Sequence, residues 1–140
     1  MERLDGTGEA FALAFVDIDR LGALNDAHGY AQGDRLIKGV TVKLRAATRG
    51  QDHLARAGDG TFGLILPATG AVDANRATEA LRNAVEMARF NLDGHAVKMT
   101  VSAGVAAAKR GEGVVGVTGR ADAALRKAKA AGRNRVAVAQ

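Results

Sequence analysis

The sequence contains no cysteine and no tryptophan, and it has one proline, one tyrosine and four phenylalanines. The absence of cysteine excludes disulfides and thiolate metal sites, which fits a cytoplasmic domain. So few aromatic side chains argue against a base-stacking platform, so we expect no nucleic-acid partner. No apolar run of 18 or more residues is present and no secretory leader is recognisable, so we expect no membrane contact by this domain.

The charge and length of the chain favour one globular domain with an anionic ligand. The chain has 140 residues, is 47% hydrophobic and carries a formal net charge of +5. An excess of positive charge favours a partner such as a phosphate or a nucleotide. We expect residues 1–9 to be a lead-in from an upstream region. Residues 10–140 would then form a single domain excised from a longer multidomain signalling protein.

Hydrophobic periodicity and turn residues predict alternating strands and helices. A buried strand over 10–17 leads into a polar loop over 25–34 and then into a helix that ends near Thr48. In the second helix the inward positions are predicted to be Val72, Ala77, Ala80, Leu81 and Val85. The later elements are predicted as strands 53–57 and 62–66, helix 71–87, strands 90–92 and 96–106, a loop over 109–116, helix 121–131 and strand 135–139. This order is a βαββαβ core of the α+β class, with a mostly antiparallel central sheet flanked by helices, as in palm and adenylate-cyclase-like folds.

The middle hairpin and the end of the first strand are the first candidate site. Asp59-Gly60 predicts a type I′ turn, because that turn needs two residues with positive φ. In a βαββαβ core this turn lies beside the end of the first strand, where Asp17 and Asp19 stand. A carboxylate there is a candidate ligand for a hard divalent cation. We interpret Asp19 instead as a cap of the following turn.

Two further pairs of side chains suit the two ends of a nucleotide. Asn25 and Asp34 could present an amide and a carboxylate to a guanine edge, although they could equally be a turn former and a helix-start acid. Lys129 and Arg133 are four residues apart, which predicts that they lie on one face at the end of a helix, where both could bind a phosphate. Their alternative is an ordinary basic helix C-terminus.

These motifs together resemble the GGDEF family, the bacterial diguanylate cyclase domain that joins two GTP into cyclic di-GMP. The resemblance runs from about Phe11 to Val138. It rests on Asp17-Ile18-Asp19, Asn25-Asp26 with Gly29, Gly33 and Asp34, Arg56, residues 100–105 (TVSAGV) and residues 128–135 (AKAAGRNR). It implies that Asp17 is a Mg²⁺ ligand, that Asn25 and Asp34 hold guanine, and that Lys129 and Arg133 hold the triphosphate.

The family signature itself is altered in this chain. Where the family has Gly-Gly-Asp/Glu-Glu-Phe, the sequence reads Gly58-Asp59-Gly60-Thr61-Phe62. The position of the second metal-binding acid is therefore Gly60. Asp59 stands one residue early, and an offset of one residue in a strand points a side chain to the opposite face. We therefore expect weakened Mg²⁺ binding and assign no catalytic residue.

The resemblance also extends to the Arg-x-x-Asp inhibitory site of the family, which is present as Arg49 and Asp52. In the family this site binds the product, cyclic di-GMP. Arginine can donate two hydrogen bonds to a phosphate or to the guanine Hoogsteen edge, and a carboxylate accepts hydrogen bonds from guanine N–H groups. A solvated loop pair is the alternative. Arg76 and Arg82 on the next helix are candidates for a second arginine that completes the site.

Three hypotheses follow from the sequence. The first is a degenerate, catalytically inactive GGDEF domain that senses cyclic di-GMP, GTP or both, in some proteins ahead of an EAL phosphodiesterase-like domain in the same chain. The second is a working diguanylate cyclase whose Mg²⁺ is held by Asp17 and the displaced Asp59. The third is a structural domain that forms a homodimer.

Overall fold

The computed structural model describes residues 10–140, so the predicted lead-in of residues 1–9 lies outside the described residues. The chain alternates strands and helices in the predicted order. The elements are β1 (Phe11–Ile18), α1 (Leu21–His28), α2 (Tyr30–Ala47), β2 (His53–Gly58), β3 (Thr61–Pro67), α3 (Ala71–Met87), β4 (Phe90–Leu92), β5 (His95–Val97), β6 (Val101–Ala107), α4 (Val114–Ala130) and β7 (Val136–Val138).

A mixed sheet with strand order β2-β3-β1-β6-β7 forms the centre of the domain. β1 is antiparallel to both β3 and β6, β2 is antiparallel to β3, and β7 is parallel to β6. β4 and β5 form a separate hairpin. The predicted mostly antiparallel sheet of the α+β class is therefore confirmed.

The two faces of β1 are covered by different helices, because side chains alternate along a strand. Ala12, Ala14 and Val16 belong to the main core with buried residues of α2 and α3. Leu13 and Phe15 pack on the opposite face with Val117 and Ala121 of α4. Asp17 shares the odd parity, so it faces the side of the sheet that α4 covers.

Backbone contact between α4 and β6 fixes the position of that helix. A Cβ atom placed on Gly104 of β6 would lie 2.1 Å from the backbone nitrogen of Leu125 and 2.3 Å from the carbonyl oxygen of Ala121. Only a residue without a side chain permits this approach. Gly104 thereby sets how close α4, with Lys129 near its end, lies to the sheet.

Several predicted boundaries were wrong. Residues 25–34 are helical rather than a loop, with a break at Gly29, whose φ is 88°. α4 begins at Val114, within the predicted 109–116 loop, because its packing on the sheet compensates for weak helix formers such as Gly116 and Gly119. The predicted 96–106 strand is two strands, β5 and β6, with residues 98–100 between them.

Smaller predictions also needed correction. Val72 and Ala80 of α3 are exposed, and Ala74 and Thr78 take the inward positions instead. The turn between β2 and β3 is not type I′, because Gly60 has a positive φ of 75° and Asp59 does not. A bulge between Arg56 and Gly58 changes the register of the hairpin and makes room for this turn. Within residues 10–140 no helix has the length and apolar character required to cross a membrane.

Candidate functional site

The end of β1 and the tip of the β2–β3 hairpin are neighbours, as the sequence predicted. Asp17 is the register partner of Thr61, and the Ile18 backbone N–H donates to the Gly60 carbonyl at 2.8 Å. Asp17 and Thr61 therefore share the face of the sheet that α4 covers. The altered signature residues Gly60 and Thr61 therefore lie beside Asp17, the acid that the family resemblance assigns to Mg²⁺.

Lys129 reaches from the last turn of α4 to this point. Its ammonium group donates a hydrogen bond to Asp17 Oδ2. The other oxygen, Asp17 Oδ1, is buried and has no hydrogen-bond partner among the described residues. Both residues line a groove of about 620 Å³ between α4 and the strands β1 and β3. The predicted metal acid and the predicted phosphate lysine thus form an ion pair with each other.

Asp19 has a structural role that the sequence did not predict. Its carboxylate accepts hydrogen bonds from Thr100 Oγ1 at 2.7 Å, from Ser102 Oγ at 2.6 Å and from the Asn134 backbone N–H at 3.1 Å. No side chain caps the start of α1, so the predicted capping role of Asp19 was wrong. A buried carboxylate needs such donors. Here they tie the end of β1 to β6 and to the loop before β7.

Arg133 does not share a helical face with Lys129, because α4 ends at Ala130. Gly132 follows with a φ of 128°, and Arg133 and Asn134 also have positive φ, at 64° and 48°. A positive φ is unfavourable for residues other than glycine. Here the Asn134 side chain stabilises it by accepting a hydrogen bond from Arg82 and donating one to Glu86.

The same contacts shift the ionisation of the α3 side chains. Hydrogen bonds from Arg82 and then from Asn134 lower the pKa of the Glu86 carboxyl below its usual value. Hydrogen bonds to Glu79 and Glu86 raise the pKa of the Arg82 guanidinium. The pair is therefore charged at neutral pH, and Arg82 is fully engaged with Glu79, Glu86 and Asn134.

The predicted guanine residues Asn25 and Asp34 line one small cleft of about 180 Å³ on the other side of the hairpin tip. Tyr30, Ile37, Arg56 and Asp59 complete its lining. Asp34 is exposed and pairs with Lys38 at 3.3 Å. Asn25 Oδ1 is buried and has no hydrogen-bond partner within residues 10–140.

Gly33 fixes the position of the Asn25 side chain. A Cβ atom on Gly33 would lie only 1.7 Å from Asn25 Oδ1, so the amide occupies space that any larger residue would fill. Sequence reasoning placed Gly33 in the family motif but gave it no role. Its position between Asn25 and Asp34, the two candidate guanine ligands, is the sequence feature that could have indicated a role for Gly33.

Asp59 lies on the wrong side of the hairpin to replace the missing acid. Its side chain is 98% exposed, pairs with Arg56 at 3.6 Å and lines the cleft of Asn25 rather than the groove of Asp17. At position 60 itself, a Cβ atom would lie 2.6 Å from Leu21 Cδ2, and φ is positive. The local backbone and packing are therefore adapted to glycine at this position.

The residues around Asp17 do not fit a Mg²⁺ ion. Mg²⁺ requires octahedral oxygen ligands and is usually held by one or two accessible carboxylates. Here one Asp17 oxygen is bonded to Lys129 and the other is buried, while Asp122 in the same groove pairs with Arg126. Among residues 10–140 no three histidine or acidic side chains converge on a common point.

Arg49 and Asp52 form a separate, ordered cluster. Arg49 Nε donates to Asp52 Oδ2 at 2.6 Å, and one terminal nitrogen donates both to Asp52 Oδ1 at 2.9 Å and to Thr69 Oγ1 at 3.0 Å. The Asp52 side chain is only 1% exposed, whereas that of Arg49 is 32% exposed. The hydrogen bonds with Asp52 raise the pKa of the Arg49 guanidinium, so it is always charged.

The Asp17–Lys129 pair and the Arg49 cluster lie at opposite ends of β3. Thr61 at the start of β3 pairs with Asp17, and Thr69 stands two residues after Pro67, the last residue of the strand. Seven residues of extended chain separate the two ends by roughly 20 Å. Thr69, which the sequence analysis did not single out, orients Arg49 and itself donates to the Pro67 carbonyl.

Comparison with known proteins agrees with this architecture. The family model described as diguanylate cyclase, GGDEF domain, matches residues 1–135. The diguanylate cyclase DgcP of Pseudomonas aeruginosa is 38% identical over 132 residues, which are 94% of this chain and 20% of that protein. The chain therefore belongs to the GGDEF domain family, and it spans about a fifth of this curated relative.

Two solved structures have the same fold. The diguanylate cyclase SiaD of Pseudomonas aeruginosa, in complex with its activator SiaC, has a TM-score of 0.93 at 33% identity, over 99% of this chain and 53% of that one. The GGDEF domain of DgcB from Caulobacter crescentus, in complex with c-di-GMP, has a TM-score of 0.89 at 32% identity, over 94% of this chain and 79% of that one. These relatives place the domain in the cyclic di-GMP signalling family.

Proposed function

We propose that this domain is a catalytically inactive GGDEF module that senses cyclic di-GMP through the Arg49 cluster. The observation that carries the proposal is the contrast between the two ends of β3. The Asp17 end lacks the second acid and holds a lysine ion pair, whereas Arg49, Asp52 and Thr69 form an ordered, charged cluster. A preorganised guanidinium loses little entropy when it binds a phosphate or a guanine.

Arg76 is the better candidate for the second arginine of this site. Arg82 is engaged with three partners, but Arg76 is exposed and pairs only loosely with Asp73, at 3.7 Å. Asp73 stands in the first turn of α3, four residues after Thr69, and its charge also raises the pKa of Arg49. We expect a ligand at Arg49 to compete with Asp73 for Arg76.

Catalysis by the isolated domain should be absent. Two-metal phosphoryl transfer needs acids on both sides of the ions, and Gly60 supplies none. We expect no detectable cyclic di-GMP when the domain is incubated with GTP and Mg²⁺ or Mn²⁺ and the products are separated by chromatography. Turnover that disappears in Asp59→Ala would instead support the hypothesis of a working cyclase with a displaced acid.

GTP binding should be weak and only slightly dependent on Mg²⁺. Asn25 and Asp34 retain the base end of a pocket. At the phosphate end Lys129 is paired with Asp17, so the contribution there falls to Arg133. In Gly33→Ala the new methyl group would displace the Asn25 amide, so calorimetry should show at least a tenfold loss of this binding. The fold should be kept, because the displaced group is the end of a flexible side chain. Tight, strictly Mg²⁺-dependent GTP binding by the wild type would contradict the proposal.

Titrations with cyclic di-GMP and GTP also distinguish the remaining hypothesis, a structural homodimer, from the receptor hypothesis. Calorimetry of the wild type with cyclic di-GMP tests the receptor function directly, and we expect saturable binding. No heat with either cyclic di-GMP or GTP, together with a dimer in sedimentation analysis, would favour the structural role. An EAL domain in the same chain, if present, would be the natural recipient of the signal, because bound ligand could alter its activity.

A further inference from the structure

The ion pair between Lys129 and Asp17 differs from the exposed pair of Arg126 and Asp122 in the same groove. The Asp17 side chain is largely buried, at 17% exposure, and one of its oxygens has no hydrogen-bond donor within the described chain. A carboxylate in such surroundings is unfavourable unless a positive charge accompanies it. Lys129 is the cation in contact with it, and the contact joins β1 to the last turn of α4.

Lys129 neutralises the Asp17 carboxylate without help from the hairpin or from Asp19. Gly60 and Thr61 carry no charge, and Asp19 accepts hydrogen bonds from Thr100, Ser102 and Asn134. An ammonium is a compact point charge with three N–H donors, so it can neutralise a single carboxylate where a divalent ion would need further oxygen ligands. The donor set at this end of β3 therefore suits a monovalent cation supplied by the chain itself.

We propose that Lys129 is the permanent counter-ion of Asp17 and takes the place of a divalent cation in this domain. As a consequence, Mg²⁺ does not bind at Asp17 and does not contribute to the stability of the fold. The inference is independent of cyclic di-GMP binding, because the Arg49 cluster lies at the other end of β3. If cyclic di-GMP binding at Arg49 were disproved, the counter-ion role of Lys129 would be unaffected, and the reverse also holds.

The first test uses the wild-type domain with Mn²⁺ alone, followed by NMR. Mn²⁺ broadens the amide signals of residues near its binding site. We expect no selective broadening of Ile18 and Thr61, which adjoin Asp17, compared with amides elsewhere on the surface. Selective broadening of these two signals at substoichiometric Mn²⁺ would overturn the proposal, because it would show that Asp17 holds a divalent ion despite Lys129.

The second test is a thermal double-mutant cycle of Asp17→Asn and Lys129→Met. Lys129→Met leaves a largely buried carboxylate without its cation, so the melting temperature should fall by about 3–6 °C. Adding Asp17→Asn should recover most of this loss. Strictly additive effects would contradict the proposal. The matched control is Arg126→Met, since Arg126 and Asp122 form an exposed pair in the same groove, and its melting temperature should change by less than about 1 °C.

Discussion

Arg49→Ala should weaken cyclic di-GMP binding by roughly 10- to 150-fold in calorimetry at fixed salt. A hydrogen bond to a charged group contributes on the order of 1.5–3 kcal/mol. Since about 1.4 kcal/mol corresponds to a factor of ten, this range converts to the stated fold-change. The pair with Asp52 orients Arg49, and the partly exposed guanidinium remains accessible to a ligand.

Asp52→Ala should weaken binding by a comparable amount, for a reason that only the structure supplies. Asp52 is buried and both of its oxygens accept from Arg49, so its removal frees Arg49 from the productive orientation. Lys129→Ala is the control, and it should bind almost normally because it lies at the other end of β3. If the wild type does not bind, or if Arg49→Ala binds as well as the wild type, the receptor hypothesis fails.

Gly104→Ala should destabilise the domain severely. The new methyl group would lie 2.1–2.7 Å from backbone atoms of α4, and a helix backbone cannot give way as a flexible side chain can. We expect a loss of roughly 3 kcal/mol in the free energy of unfolding. For a domain of this size that loss lowers the melting temperature by roughly 10 °C, measurable by circular dichroism.

Gly119→Ala provides a matched control within α4. This glycine is in the helix interior, and a Cβ atom there would meet nothing within 4 Å. Alanine is the better helix former, so the variant should be more stable than the wild type by roughly 0.5–1 kcal/mol. Equal melting temperatures for the wild type and Gly104→Ala would show that α4 does not pack on β6 as closely as described.

The hydrophobic pattern was sufficient to predict the order of elements and the class of fold. β1 and β3 are apolar runs bounded by polar turns, and α3 was predicted with its observed limits, Ala71–Met87. The prediction was weaker where the local signal was weak. The helical residues 25–34 are polar and interrupted by Gly29, and Gly33 of α2 packs closely against Asn25 of α1. The start of α4 is rich in glycine, and its Val117 packs against Phe11 and Ala106 of the sheet.

The sequence by itself determined the family, the altered signature and the likeness of Arg49 and Asp52 to the inhibitory site, because these depend on residue identity and spacing. Only the tertiary structure decided how the candidate side chains are used. It paired Lys129 with Asp17, placed Arg133 beyond the helix end and directed Asp19 to Thr100, Ser102 and Asn134. The physical reason is that contacts between residues more than 80 positions apart depend on strand register and on the close approach that Gly104 permits between α4 and the sheet.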